Sequence, residues 1–195
     1  MNKFYKITIL LTVVVMLIFI VVSCVRPQVS PSTLPIGPAE ATPPASGAGY
    51  VPIDRGFGQI GEFSTADMDG NTVTEDVLKE KPLTFIYYWA TWCRACVVGI
   101  SELNELYEKY KDDVTFITII DDGSQNSAAD NLIKQHLKNF VNLLPVEDLV
   151  GPIRTRYIPT SVIVDSGGFL IEDRIIGNND FSVNIDAALE IVNAR

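Results

Sequence analysis

Two apolar runs dominate the middle of the chain. Leu83–Trp89 and Val114–Ile120 are largely hydrophobic over the length of an ordinary strand, which is typical of strands buried on both faces of a sheet. Between them, over Arg94–Lys111, apolar side chains recur with the spacing of one helix face. These side chains are Ile100, Leu103, Leu106, Tyr107 and Tyr110. The order strand, helix, strand predicts a sheet with helices packed against it.

Weaker patterns on both sides of this unit extend the prediction. Before it, Asp69-Gly70-Asn71 indicates a hairpin turn. We expect further strands near Glu62–Met68, Thr72–Thr74, Leu143–Val146, Ser161–Asp165 and Phe169–Ile176. We expect helical segments from Thr74 or Asp76 to Lys79, over Ser127–Asn139 and from Asp180 or Ser182 to Ala194, and a short helix or turn over Val150–Tyr157. Strands that alternate with helices and end in a hairpin predict an α/β fold. Its central mixed β-sheet is flanked by helices and carries an N-terminal β-hairpin extension.

The first residues have the pattern of an export signal. Lys3 and Lys6 form a basic start, and Ile7–Val22 is an almost unbroken apolar run. That run is short for a membrane-spanning helix and long for the core of a cleaved signal. Val21-Val22-Ser23-Cys24 resembles the lipobox of bacterial lipoproteins, which implies lipid attachment at Cys24. Residues 1–24 are therefore predicted to be a lipoprotein signal peptide or, alternatively, an uncleaved N-terminal membrane anchor. Either one places the remainder outside the cytoplasmic membrane.

A proline-rich segment separates this start from the rest of the chain. Seven of the eleven prolines lie between Val25 and Pro52, among Ser, Thr, Ala and Gly. Such a composition cannot bury enough apolar surface to fold. Residues 25–55 are therefore predicted to be a disordered tether. Residues 56–195 have the size of one ordinary domain.

Charge narrows the range of partners. The chain has 15 basic and 24 acidic residues, a net charge of −9. Removal of Lys3 and Lys6 with a leader leaves 13 against 24, or −11. An acidic surface argues against a nucleic-acid partner.

The motif that carries chemistry is Cys93-x-x-Cys96, placed where the first apolar strand meets the amphipathic helix. Unpaired N–H groups and the helix dipole stabilise an anion at a helix N-terminus, so the thiolate of Cys93 is favoured there. The motif therefore predicts thiol–disulfide exchange by the dithiol itself, without a cofactor or a metal. A structural zinc half-site and a purely structural disulfide are the alternatives. Zinc would need two further ligands, and the chain has three cysteines and one histidine, His136.

Taken together, these fragments resemble the membrane-tethered TlpA/ResA-like thiol–disulfide oxidoreductases, which have a thioredoxin fold of the AhpC/TSA-redoxin type. The resemblance rests on the order of the matching pieces from about Gly58 to Gly177. They are the Asp69-Gly70-Asn71 hairpin, Trp89-Ala90-Thr91-Trp92-Cys93-Arg94-Ala95-Cys96, the strand Val114–Ile120, the insert around Ser127–Val146, and Tyr157-Ile158-Pro159-Thr160. Residues 56–195 are thus predicted to be a thioredoxin-like domain.

The resemblance assigns roles by position. It implies that Cys93 is the attacking thiolate and that Cys96 is the resolving thiol. It further implies that Pro159 is the family's cis-proline, whose loop with Ile158 faces the cysteines and pairs its backbone with a substrate peptide. Trp92 would flank the nucleophile, or else serve as a partly buried packing aromatic.

The sequence departs from the family pattern at three places. Arg94-Ala95 stands between the cysteines, where the family usually has a proline. The charge of Arg94 should favour the thiolate of Cys93 and make the disulfide more oxidising, unless Arg94 is simply a solvated surface residue. Tyr87 stands where thioredoxins place a buried acid. Gly99, with Ser101, stands where many ResA-like proteins carry a glutamate and then a proline, so neither usual proton acceptor for Cys96 is present.

The expected function is that of an extracytoplasmic, membrane-anchored enzyme that exchanges disulfides with exported proteins. The resemblance implies apocytochrome c among its substrates and a CcdA-like membrane thiol carrier as electron donor. The motif is equally compatible with an oxidase direction. We expect a monomer. The alternative is a thioredoxin-fold lipoprotein that handles a metal or acts as a scaffold, without redox turnover.

Overall fold

The computed structural model describes residues 54–122 and 127–194. The predicted leader 1–24 with Cys24, and the tether 25–55 except its last two residues, lie outside this part, so the predictions on them stay predictions. Within the two described ranges, no helix combines the length and the apolar character that are needed to span a bilayer.

A five-stranded mixed sheet forms the centre of the domain, and a separate two-stranded hairpin precedes it. The strands are β1 (Ser64–Ala66), β2 (Thr72–Thr74), β3 (Leu83–Trp89), β4 (Val114–Ile120), β5 (Val141–Leu143), β6 (Thr160–Asp165) and β7 (Ile175–Ile176). The sheet order is β5-β4-β3-β6-β7, with β3, β4 and β5 parallel and with β6 antiparallel to both of its neighbours. Every residue of β3 and β4 is buried, as their continuous apolar runs predict.

Helices cover both faces of this sheet. They are α1 (Arg94–Tyr110), α2 (Ser127–His136), α3 (Glu147–Val150) and α4 (Phe181–Asn193), with a 3₁₀ turn at Glu75–Lys79. Phe85, Tyr87 and Trp89 of β3 belong to the core on the side of α1, α2 and α4. Ile86 and Tyr88 point the other way, toward the 3₁₀ turn and α3. The alternation along one strand thus builds two cores, and the predicted α/β thioredoxin fold is confirmed.

The predicted hairpin is confirmed, and Asp67 holds its turn. The carboxylate of Asp67 accepts hydrogen bonds from the main-chain N–H groups of Asp69 and Asn71 and from the Asn71 side chain, at 2.8–2.9 Å. These bonds lower the pKa of Asp67 below its ordinary value, with the Asn71 side chain as the main cause. The hairpin also bonds to the outer edge of β5, through Met68 and Ala66.

Three predicted segments differ in the structure. The short strand is Val141–Leu143 and not Leu143–Val146. The helix Glu147–Val150 lies before the predicted short helix or turn Val150–Tyr157, which begins with a turn at residues 151–153. Phe169–Ile176 is not a continuous strand. Phe169 and Leu170 form isolated bridges, and only Ile175–Ile176 joins the sheet. Between them, the Arg174 guanidinium donates hydrogen bonds to the carbonyl groups of Phe57 and Pro152. These are tertiary contacts, and the local sequence pattern does not predict them.

Candidate functional site

The dithiol lies where β3 ends and α1 begins. Cys93 is the N-cap residue of α1, and Cys96 belongs to the first helical turn. The two cysteines form a disulfide, with their Cα atoms 5.2 Å apart. Cys93 is 7% exposed and Cys96 is fully buried. A partner molecule therefore reaches Cys93 first, which agrees with its predicted role as the attacking residue.

A main-chain hydrogen bond stabilises the sulfur of Cys93. The N–H group of Cys96 donates to Cys93 Sγ over 3.1 Å. This N–H is one of the free donors that the start of every helix carries, and the helix dipole adds positive potential at the same place. When the disulfide is reduced, both effects favour the thiolate of Cys93 over its thiol. The arrangement therefore suits nucleophilic attack on a disulfide.

The loop before β6 faces the same sulfur. The Ile158–Pro159 peptide bond is cis, as the family resemblance implies. The carbonyl oxygen of Ile158 lies 3.6 Å from Cys93 Sγ. A disulfide sulfur carries no hydrogen, so this is a contact in the oxidised protein. The residues expected on opposite sides of the site are thus brought together.

Two further predicted residues lie on the surface beside Cys93. Trp92 is 66% exposed, so the alternative interpretation of Trp92 as a partly buried packing aromatic is wrong. Arg94 is exposed and is the first residue of α1. A large apolar side chain and a cation therefore border the reactive sulfur on the solvent side.

A neutral hydrogen-bonded group lies beneath the first turn of α1. The Tyr87 hydroxyl lies 3.2 Å from both the carbonyl oxygen of Cys96 and Oδ1 of Asn178, so its single hydrogen is shared. Nδ2 of Asn178 donates to the carbonyl oxygen of Ala95 over 2.7 Å. Burial, reinforced by the negative charge of Glu102, holds the pKa of Tyr87 well above its ordinary value. Tyr87 therefore remains a protonated donor at neutral pH.

Gly99 leaves the space for this group. A Cβ atom on residue 99 would lie 2.8 Å from the Tyr87 hydroxyl oxygen and closer still to the Asn178 carboxamide. The two departures at Tyr87 and Gly99 are therefore linked through Asn178. Sequence reasoning missed Asn178, because the stretch around it has only the composition of a turn.

A carboxylate anchors the loop that precedes Cys93. Asp122, which follows β4, accepts hydrogen bonds from the hydroxyl and the main-chain N–H of Thr91. Its neighbour Asp121 accepts from the Tyr88 hydroxyl. The ends of the two central strands are thus tied together at the edge where the dithiol lies. Sequence reasoning did not single out these residues, although two acids directly after a buried strand are a usable signal.

Metal ligation is one alternative use of the cysteines. Among residues 54–122 and 127–194, no group of three or more His, Cys, Asp or Glu side chains is arranged to hold a metal ion. His136 ends α2, away from the cysteine pair in the sequence, and Cys24 lies outside the described residues. The described geometry therefore supplies no second half for a zinc site.

Comparison with known proteins gives a consistent result. A family model described as Thioredoxin-like matches residues 82–170. A thiol-disulfide oxidoreductase ResA of Bacillus cereus is 33% identical over 124 residues, which cover 61% of this chain and 70% of the relative. A thioredoxin structure from Neisseria meningitidis has a TM-score of 0.59 at 23% identity and covers 70% of this chain and 94% of its own. The pneumococcal exposed lipoprotein thioredoxin of Streptococcus pneumoniae has a TM-score of 0.55 at 24% identity, with 67% and 99% covered.

Proposed function

This chain belongs to the TlpA/ResA-like family of thioredoxin-fold thiol–disulfide oxidoreductases, and from that premise we propose that it exchanges disulfides with exported proteins at the outer face of the cell membrane. The observation that carries the proposal is the position of Cys93. It caps α1, accepts the N–H of Cys96, and lies 3.6 Å from the carbonyl oxygen of Ile158. One sulfur is thus both activated and placed beside a backbone that can pair with a peptide.

The reaction proceeds in two exchanges. The Cys93 thiolate attacks one sulfur of the substrate disulfide, which forms a mixed disulfide and expels the other sulfur as a thiolate that takes up a proton. Cys96 then loses its proton, and its thiolate attacks Cys93 Sγ. This step forms the Cys93–Cys96 bond and releases the second substrate thiol. Two electrons pass from the enzyme dithiol to the substrate, and a second dithiol must return them.

The sequence pattern at the start of the chain supports the proposed location. The apolar run Ile7–Val22 and the lipobox-like Val21-Val22-Ser23-Cys24 support export and an acyl anchor on Cys24, or an uncleaved helix in its place. The pneumococcal protein of the same fold is itself described as an exposed lipoprotein. Outside the membrane, the proline-rich residues 25–55 would give the domain reach toward its partners.

The family membership supports a substrate and an electron source. We place apocytochrome c among the exported substrates, with a CcdA-like membrane dithiol carrier as the donor of the two electrons. The direction of net exchange depends on the reduction potential of the Cys93–Cys96 pair relative to that of each partner.

A trapping experiment tests the exchange chemistry. In Cys96→Ala the second exchange is blocked, so substrate proteins should accumulate on Cys93 as mixed disulfides that mass spectrometry identifies. The Cys93→Ala, Cys96→Ala double variant is the matched control, because it retains Cys24 and removes the dithiol. The absence of trapped partners, together with no reduction of insulin by the wild type, would leave the scaffold alternative.

A second experiment tests the anchor. Cys24→Ser should abolish incorporation of labelled fatty acid and release the chain from the membrane fraction. Retention of the variant in membranes, with no fatty-acid label on the wild type either, would instead favour the uncleaved helix. A membrane-impermeant thiol reagent added to intact cells should label the reduced Cys93 if the domain faces outward.

A further inference from the structure

We propose that Asn178 is a positioning residue that stabilises the Cys93 thiolate through the peptide group between Ala95 and Cys96. Asn178 lies in the loop between β7 and α4, far from the dithiol in the sequence, and it does not touch either sulfur in the hydrogen bonds described. Its effect is transmitted through one main-chain amide.

The geometry makes this amide a relay. Nδ2 of Asn178 donates to the carbonyl oxygen of Ala95 over 2.7 Å, and the N–H of Cys96 donates to Cys93 Sγ over 3.1 Å. The carbonyl of residue 95 and the N–H of residue 96 belong to the same planar peptide unit, and in a trans peptide they point in opposite directions. Side chain, peptide and sulfur therefore form one chain of hydrogen bonds.

Such a chain strengthens its final bond. Donation to a carbonyl oxygen polarises the amide, which makes its N–H a better donor. A thiolate accepts a charge-assisted bond that is roughly twice as strong as a neutral one, so reduced Cys93 gains more than the disulfide does. The same bond also fixes the plane of the amide, so that its N–H stays aimed at the sulfur.

The surrounding residues fix the orientation of the Asn178 side chain. The carbonyl oxygen of Ala95 can only accept, so it holds the NH₂ group of Asn178 on its side and leaves Oδ1 toward the Tyr87 hydroxyl. Because burial keeps Tyr87 protonated, this orientation holds across the neutral pH range. Gly99 supplies the missing volume, since a Cβ atom there would overlap the carboxamide.

Other charged and titratable groups near the first turn of α1 also influence the pKa of Cys93, so a test of Asn178 must leave them unchanged. They are Arg94 on α1, Glu102 one turn beyond the cysteines, Asp121 and Asp122 after β4, and the phenol of Tyr87 on β3. None of them is changed by a substitution at residue 178.

The test is a residue-resolved titration of Cys93. The rate of iodoacetamide alkylation of Cys93 is measured by mass spectrometry between pH 4 and 9, in the reduced domain that carries Asn178→Ala. We expect the pKa of Cys93 to rise by about half a unit, since relayed polarisation is worth a fraction of one hydrogen bond. The equilibrium with glutathione should then shift about threefold toward the disulfide, or roughly 15 mV toward a more negative potential.

Three variants make the result specific. Asn179→Ala is the matched control, because the Asn179 side chain donates to the carbonyl oxygen of Ile176, so that the pKa of Cys93 should stay unchanged. Asn178→Asp should raise that pKa further, because it replaces the donor with an anion. Gly99→Ala should reproduce Asn178→Ala by displacing the carboxamide. An unchanged Cys93 pKa in Asn178→Ala, Asn178→Asp and Gly99→Ala, even with a lower melting temperature, would overturn the proposal and leave Asn178 a structural residue.

The inference rests on the proposed role of Cys93, but the two can fail separately. If the exchange function is wrong, no substrate is trapped and insulin is not reduced, while the pKa of Cys93 still shifts. If only the relay is wrong, trapping and insulin reduction proceed and the pKa stays constant.

Discussion

The hydroxyl of Tyr87 lies 3.2 Å from the main-chain carbonyl oxygen of Cys96, and it shares its single hydrogen between that oxygen and Oδ1 of Asn178. A buried donor thus occupies the position beneath the resolving cysteine where thioredoxins carry an acid. Burial and the charge of Glu102 both keep this phenol protonated, so it cannot accept the proton that Cys96 must lose. The proton of Cys96 therefore leaves by another route, such as solvent.

The first prediction concerns Tyr87→Phe. Loss of the hydroxyl should lower the free energy of unfolding by about 1 kcal/mol, the usual net value of a hydrogen bond. The resolving step should keep its pH dependence, because the phenol does not titrate in the wild type. When the reduced dithiol reacts with the aromatic disulfide DTNB, attack by Cys93 releases one thionitrobenzoate and attack by Cys96 releases the second. The rate of the second release, followed by stopped flow between pH 6 and 9, measures the resolving step. A lost ionisation in Tyr87→Phe would show that Tyr87 is a base after all.

The second prediction separates the two tryptophans. Trp92 is 66% exposed, whereas Trp89 is fully buried in β3. Trp92→Ala should change the free energy of unfolding by less than about 0.5 kcal/mol and raise KM for protein disulfides. Trp89→Ala should cost about 3–5 kcal/mol by leaving a cavity. Urea unfolding and insulin reduction give both quantities, and an unchanged KM in Trp92→Ala would remove Trp92 from the substrate surface.

The third prediction concerns Arg94→Gln. Removal of the cation beside Cys93 should raise the pKa of Cys93 and make the potential more negative, because the reduced form loses stabilisation. Arg94 is exposed, so the difference from the wild type should fade between about 0.1 M and 1 M salt as the Debye length shrinks. Lys138→Gln, on the loop after α2, is the control. A wild-type potential as negative as that of thioredoxin would contradict the oxidising influence assigned to Arg94.

The fourth prediction concerns Asp67 and pH. The folded state lowers the pKa of Asp67, chiefly through the Asn71 side chain, so the ionised form stabilises the hairpin. This contribution is complete above the unfolded value of about 3.9 and is lost as the pH falls through the lower folded value. Because the turn is partly exposed to solvent, we expect less than about 1 kcal/mol.

Asp67→Asn measures that contribution. The variant should be less stable than the wild type at pH 7, and the two should converge below about pH 3. Asp69→Asn, which removes a neighbouring exposed carboxylate of the same turn, is the matched control. Parallel stability curves for the wild type and Asp67→Asn would contradict the prediction.

The parts of the fold that the sequence predicts well are those with a dominant local pattern. Leu83–Trp89 and Val114–Ile120 are largely apolar and are the two central strands, and the helical spacing after Cys93 gives α1 within one residue. Phe169–Ile176 is also apolar at intervals, yet Arg174 turns toward Phe57 and Pro152 and breaks it. A hydrogen bond to a carbonyl group far away in the sequence cannot be predicted from the spacing of apolar residues within the segment.

The candidate site divides in the same way. Cys93, Cys96 and Pro159 lie in motifs and come together as the resemblance implies. Asn178 meets Ala95 across a separation of 83 residues, and only the fold brings it there. The sequence does contain an indirect sign, because Tyr87 and Gly99 both depart from the family pattern. These two departures, on β3 and α1, indicate that the side chain of a third residue fills the space between them.

The outer strands of the sheet limit edge-to-edge pairing with other polypeptide chains. β5 is three residues long, its outer edge is bonded by the hairpin, and β7 is two residues long. In the part of the chain that the structure describes, the sheet therefore offers little free ladder on which another polypeptide could add a strand. Contact with another chain at Cys93 can therefore form a mixed disulfide with little opportunity for that chain to pair with the sheet edges.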